Sequence, residues 1–107
     1  MAQALFCLLL LAQPQADPDV EFRTRLARTD SGDAAALLDL GQWCEQKKRP
    51  GWAERCYRMV AGLARDEKNY PEAVYRIARI EIEKKLYSSA YKRLRKLTST
   101  YTHKGAT

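Results

Sequence analysis

The sequence predicts an all-α chain of about five helices, paired as antiparallel hairpins and stacked as a short α-solenoid. Three observations predict it. Two segments coincide when the chain is displaced by 37 residues: Leu37 falls on Val74, Leu40 on Ile77, Gly41 on Ala78, Ala53 on Ala90, Tyr57 on Leu94 and Val60 on Leu97. Large meets large and small meets small, as in stacked helical repeats. Within each segment the apolar residues recur three and four positions apart, the period of one helix face. No alternation of apolar and polar residues lasts more than a few positions, so no strand is indicated.

The N-terminus is expected to be a targeting segment. Residues 4–12 form a nine-residue apolar run. That is too short to span a bilayer as a helix, which needs about 20 residues, and suits the apolar centre of a signal peptide. Gln13, Pro14 and Gln15 break the run, and Ala16 offers a cleavage point before Asp17. Two features depart from the usual pattern: no Lys or Arg precedes the run, and Pro14 stands where a small residue is preferred. Residues 1–16 are read as a signal peptide, which places the product in a periplasm (a bacterial envelope) or outside the cell. An uncleaved chain would stay in the cytoplasm.

Residues 17–33 then supply a short capping helix and a turn. Pro18 suits a first helical turn and Asp17 a cap, giving a helix from Pro18 to about Thr29 with Val20, Phe22 and Leu26 as its apolar residues. Asp30, Ser31, Gly32 and Asp33 form a turn that ends on a good cap residue. The first hairpin occupies residues 34–70. Its opening helix is expected from about Ala34 to Lys48, with Leu37, Leu40, Gly41 and Cys44 on one face and Pro50-Gly51 ending it. Its second helix is expected from about Trp52 to Arg65, with Ala53, Cys56, Tyr57, Val60 and Ala64 facing inward. The second hairpin occupies residues 71–100. Pro71 opens a helix to about Lys85 with Val74, Ile77, Ala78 and Glu81 on its face, and a last helix over about 88–100 uses Ala90, Leu94, Leu97 and Tyr101. Residues 101–107 are expected to be a flexible tail.

Charge is distributed unevenly. Residues 17–50 carry seven acids and six bases, whereas residues 84–107 carry seven bases and no acid, so most of the net charge of +6 sits at the C-terminal end. Such an end is either the solvated outer face of a helix or a surface for an anion. Cysteine usage depends on compartment. Cys7 would leave with the signal, while Cys44 and Cys56 remain, equidistant from the Pro50-Gly51 turn. In an oxidising compartment they are candidates for a disulfide, provided both point directly inward; otherwise they are small thiols filling core space.

The run Glu72, Ala73, Val74, Tyr75, Arg76, Ile77, Ala78, followed by Tyr87, Ser88, Ser89, Ala90, resembles a tetratricopeptide repeat. In that resemblance Val74 takes the first large position, Ile77 and Ala78 the leucine-small pair, Ala90 the small crossing residue, and Leu94 and Tyr87 the large positions around it. Leu37, Leu40, Gly41, Cys44, Ala53 and Tyr57 take the same roles in the earlier unit. The likeness covers about residues 34–100, roughly two repeats. It departs from the family in a period of 37 where about 34 is usual, in Glu81 at an aromatic position, and in Val60 and Leu97 at small ones. The resemblance implies a protein that binds other proteins along a groove lined by the first helix of each unit. Carried over by position, that groove takes Leu38, Gln42, Glu45, Gln46, Glu72, Tyr75, Arg79, Ile82 and Glu83. Tyr75 and Arg79 form its strongest pair, with Arg79 suited to a carboxylate.

Enzyme activity is not expected. The single histidine, His103, falls in the tail, which leaves no support for a catalytic triad, a His-Cys pair or a histidine metal site. Neither a glycine-rich phosphate loop nor a C-x-x-C motif is present, and no cofactor or metal is called for. The expected role is a non-enzymatic adaptor or scaffold for another protein or peptide. The competing reading is a basic helical module for a polyanion. There Lys92, Arg93, Arg95 and Lys96 form a basic patch around Tyr91, to meet nucleic acid or an anionic membrane surface. Export argues against nucleic acid. With no helix after the last one, Leu94, Leu97 and Tyr101 leave an apolar strip that would suit a homodimer or the continuation of a longer repeat protein of which this is a fragment.

Overall fold

A computed structural model of the chain describes residues 17–63 and 68–105. It contains five helices: α1 (Pro18–Arg28), α2 (Ala34–Gln46), α3 (Pro50–Leu63), α4 (Tyr70–Glu83) and α5 (Tyr87–Gly105). No strand occurs among the described residues. Each helix packs on the next in sequence: α1 on α2, α2 on α3, α3 on α4 and α4 on α5. That order of contacts is the arrangement of a small helical solenoid or bundle, as the sequence predicts. The signal peptide expected over residues 1–16 and the inward role expected of Ala64 lie outside the described residues.

The helix starts follow their caps. Asp17 accepts a hydrogen bond from the Asp19 N–H at 2.9 Å, and Asp33 accepts one from the Ala36 N–H at 3.1 Å. The helix ends were harder to foresee. Both hairpins close their first helix with one and the same turn, 37 residues apart. Lys48 and Lys85 take the left-handed conformation, with φ of 58° and 65°. The Arg49 N–H donates to the Cys44 carbonyl at 2.9 Å and the Leu86 N–H to the Glu81 carbonyl at 2.8 Å. The Lys48 N–H donates to Glu45 and the Lys85 N–H to Ile82, each at 2.9 Å. These paired bonds satisfy carbonyls that a helix end leaves open.

Pro50-Gly51 therefore does not end α2. Pro50 is the first residue of α3, because its fixed φ suits a first helical turn and its missing N–H is not needed there. The reversal is made one step earlier, over residues 47–49. A second correction concerns the tail. Residues 102–105 continue α5, since no proline or glycine interrupts the sequence from Tyr87 until Gly105. A third concerns Val20, which is 59% exposed while Phe22 is buried. Residues two apart stand on opposite sides of a helix, so the two cannot share a face.

The core lies inside the first hairpin and between α3 and α4. Leu37, Leu40, Cys44, Ala53, Cys56, Tyr57, Val60, Val74, Ile77 and Ala78 are buried, each on the face expected from the sequence, and Ala73 joins them. Tyr57 is the largest fully buried side chain, and it lies flat against the bare backbone of Gly41. A Cβ at position 41 would collide with three atoms of that ring. The glycine thus sets how closely α2 and α3 approach. At one end of the stack, Phe22 of α1 stacks on Trp52 of α3 with ring centroids 4.9 Å apart and planes 6° from parallel. Arg25 lies over Trp43 at 4.6 Å. These contacts hold α1 across both helices of the first hairpin.

The second hairpin is held differently. Glu81 is buried, and its carboxylate accepts a hydrogen bond from Nε of Arg93 on α5 at 2.7 Å. Among residues 87–99 of α5, Ala90 is the buried hydrophobic, and Leu94 and Leu97 are half-buried. A further ion pair ties α3 to the end of α4. Glu54 accepts from Lys84 at 3.0 Å and from Arg58 at 2.8 Å. Burial opposes ionisation of Glu54, but Lys84 and Arg58 more than offset it and hold the carboxyl below its ordinary value of 4.5.

Two predictions follow from this packing. Gly41→Ala should destabilise the chain by about 1–3 kcal/mol in urea unfolding, net of the ~1 kcal/mol that alanine gains over glycine in a helix. Gly62→Ala, which meets nothing within 4 Å, should stabilise it. Unchanged stability in Gly41→Ala would refute the close approach. A carboxyl whose folded value lies below its unfolded one adds stability above the unfolded value and loses it as pH falls through the folded value. Glu54→Gln should therefore be less stable than wild type near neutral pH, with the difference shrinking as pH falls through the folded value below 4.5.

Candidate functional site

Of the residues carried over as a groove, the structure brings Glu45 of α2 against Arg79 of α4, and Glu83 lines the same hollow. On α4, Tyr75, Arg79 and Ile82 follow at spacings of four and three, so they form one stripe. Tyr75 is 54% exposed and Ile82 43%, while Glu72, Arg79 and Glu83 are also exposed. On α2, Gln46 is exposed and Gln42 and Glu45 are half-buried. Leu38 is half-buried against the core cluster, which makes it more a packing residue than a contact for a partner.

Two of the charged groove residues, Glu45 and Arg79, are engaged with each other. Arg79 donates to Glu45 at 2.6 Å, and Arg76 lies 3.7 Å from the same carboxylate oxygen. Arg76 also donates to Glu72 at 2.8 Å, one turn away on its own helix. The carboxylate that Arg79 takes is therefore an internal one, and it pins the first helix of one hairpin to the first helix of the next. Beneath this cluster sits Tyr57, with Arg76 5.9 Å above its ring. The Tyr57 hydroxyl and Oε1 of Glu45 are both buried without a hydrogen-bond partner. Burial, and then the Glu45 carboxylate, push the Tyr57 hydroxyl up from its ordinary value. Beside the cluster, Glu45, Lys48, Pro50, Arg79, Ile80 and Glu83 line a shallow hollow at the end of the groove.

Arg76 is a residue that sequence reasoning passed over. Its signal was present as a Glu72–Arg76 pair four apart, but its reach to Glu45 depends on how the hairpins stack. Trp43 and Trp52, which seat α1, were passed over as well.

The basic patch needs one correction. Arg93 does not belong to it, because it turns to the buried Glu81 on α4. Leu97 and Ala90 flank that same side of α5, so position 93 turns toward the hairpin with part of its side chain left in solvent. Lys92, Arg95 and Lys96 are exposed and line a shallow hollow with Ser99. Tyr87 and Tyr91, at 60% and 64% exposure, stand beside them.

Cys44 and Cys56 are both buried free thiols, interior to the first hairpin. Among the described residues, no group of three or more His, Cys, Asp and Glu side chains could hold a metal ion, and no helix is long and apolar enough to cross a membrane. No protein-family model, curated protein or solved structure matches the chain. The exposed faces are an apolar and hydrogen-bonding stripe on α4 and a basic, aromatic face on α5.

Proposed function

We propose that the chain is a non-enzymatic, tetratricopeptide-like binding module that holds an extended segment of another protein along the α2–α4 face, in the cell envelope or outside the cell. The observation that carries this reading is the repeated left-handed turn at Lys48 and Lys85. It ends α2 and α4 in the same way, 37 residues apart, and the Glu45–Arg79 pair brings those two helices side by side. Between them the Glu45–Arg79 pair supplies a hydrogen-bonding floor, and Tyr75 and Ile82 supply exposed apolar contacts. A partner carboxylate would add to Arg79, whose side chain is 44% exposed and keeps guanidinium donors beyond the one given to Glu45. Extended peptides are suited to such a face, because their main-chain groups remain free to hydrogen-bond.

A second reading has its own observation. Tyr87, Tyr91, Lys92, Arg95 and Lys96 are all exposed on α5, in a stretch without a single acid. Aromatics among cations suit a polyanion, whose phosphates pair with the bases while its rings stack on tyrosine.

A display library of random linear peptides panned on the full chain tests both readings. Selected peptides should lose about tenfold in affinity with Tyr75→Ala and with Ile82→Ala, and nothing with Lys92→Ala/Lys96→Ala. Peptides insensitive to Tyr75 and Ile82 would defeat the groove. Oligothymidylate binding that falls steeply between about 50 and 200 mM salt would favour the polyanion instead.

A further inference from the structure

The binding face makes no use of Cys44 and Cys56. The two hairpins nevertheless mark this pair out. Displaced by 37 residues, Cys44 falls on Glu81 and Cys56 on Arg93. In the second hairpin those positions face each other across the helix pair and meet at 2.7 Å. The first hairpin, built to the same register and closed by the same turn, sets two thiols opposite each other in the same way. Both are 0% exposed and belong to the same core cluster. The neighbouring Cys56 thiol, and then burial, push the Cys44 thiol up from its ordinary value.

Helix geometry then bounds the distance. Packed helix axes lie about 8–10 Å apart, and Cα atoms sit about 2.3 Å from each axis. Two residues pointing straight at each other therefore have Cα atoms separated by roughly 3.5–5.5 Å, which overlaps the 4.4–6.8 Å range of disulfides. Gly41 keeps this particular pair of helices close, since the Tyr57 ring occupies the space a side chain would take. We propose that Cys44 and Cys56 are an oxidisable dithiol that closes into a disulfide within the first hairpin, with a small-molecule disulfide such as oxidised glutathione as the oxidant.

The exchange balances in two displacements. One cysteine thiolate attacks the glutathione disulfide, forming a mixed disulfide and releasing one glutathione thiolate. The second cysteine thiolate then attacks the cysteine sulfur of that mixed disulfide, forming the Cys44–Cys56 bond and releasing the second glutathione thiolate. The protein loses two protons and two electrons, and the electrons reside in the two glutathione thiols. Because both sulfurs are buried, the first attack takes place in the unfolded or locally opened chain, and the packed hairpin then brings the second thiol onto the first.

The test uses the full chain with Cys7→Ser, so that only this pair can react. The reduced protein is unfolded, refolded with oxidised and reduced glutathione, alkylated in denaturant with N-ethylmaleimide, and weighed. The expected product is a monomer lighter than the reduced chain by two hydrogen masses, carrying no maleimide and no glutathione. Its melting temperature should exceed that of the reduced form by roughly 10 °C, the rise expected from cross-linking a short loop. Adding Cys56→Ser should give a glutathione adduct or a disulfide-linked dimer instead. Two maleimides per chain, a stable glutathione adduct or linkage between chains in the two-cysteine protein would overturn the proposal. So would a bridged chain that melts at or below the reduced one, because the bond would then be distorting the hairpin it is meant to fit.

Discussion

The contact on which the rest of the structure depends is the Tyr57 ring lying on Gly41. It is the largest side chain in the core and it has no exposure, yet its partner has no side chain at all. Close approach of α2 and α3 follows from that pairing, and the burial of Leu37, Ala53 and Val60 follows from the approach. Tyr57 also faces the other way. Its hydroxyl end reaches the cluster of Glu45 and Arg76, and so one residue connects the interior of the first hairpin to the face shared with the second. A smaller ring would leave a void below that cluster, and a larger residue at position 41 would push the helices apart and take Glu45 away from Arg79.

The two hairpins solve one geometric problem with different chemistry. At the inward positions beside the turn, the first uses two thiols and the second a buried carboxylate paired with a guanidinium. The thiols cost nothing to desolvate and tolerate a dry core beneath α1 and α4. The ion pair is costly to bury and needs its short, aligned bond, but the second hairpin lies at the end of the stack, where α5 is half-exposed and Arg93 retains some water. The difference fits the position of each unit: apolar where helices cover both sides, charged where one side is open.

Much of the all-helical fold was legible in the sequence, because apolar residues at helical spacing recur in two segments 37 residues apart. Asp17 and Asp33 announced two helix starts for the same reason that they cap them. The ends were less legible. Proline and glycine at 50 and 51 drew attention to themselves, whereas the turn is made by lysine, a residue with no preference for the left-handed region. The recurrence of lysine at 48 and 85 was the available clue. In the candidate site, the positions of Tyr75, Arg79 and Ile82 on one face could be counted along the helix. Their engagement could not, since Arg79 meets Glu45 across 34 residues and only the stacking of the hairpins decides it. The basic patch was misjudged at Arg93 for a related reason: its carboxylate partner is buried on another helix, and composition shows charge without direction.

The measurement that bears most directly on this account is the solution NMR environment of Gly41. With the Tyr57 ring against its α-carbon, the Gly41 α-protons should show strong nuclear Overhauser contacts to the Tyr57 ring protons and resonate well upfield of an ordinary glycine through the ring current. Gly41 α-protons at an ordinary shift, with no contact to an aromatic ring, would mean that α2 and α3 do not meet in this way, and the register of both hairpins would have to be abandoned.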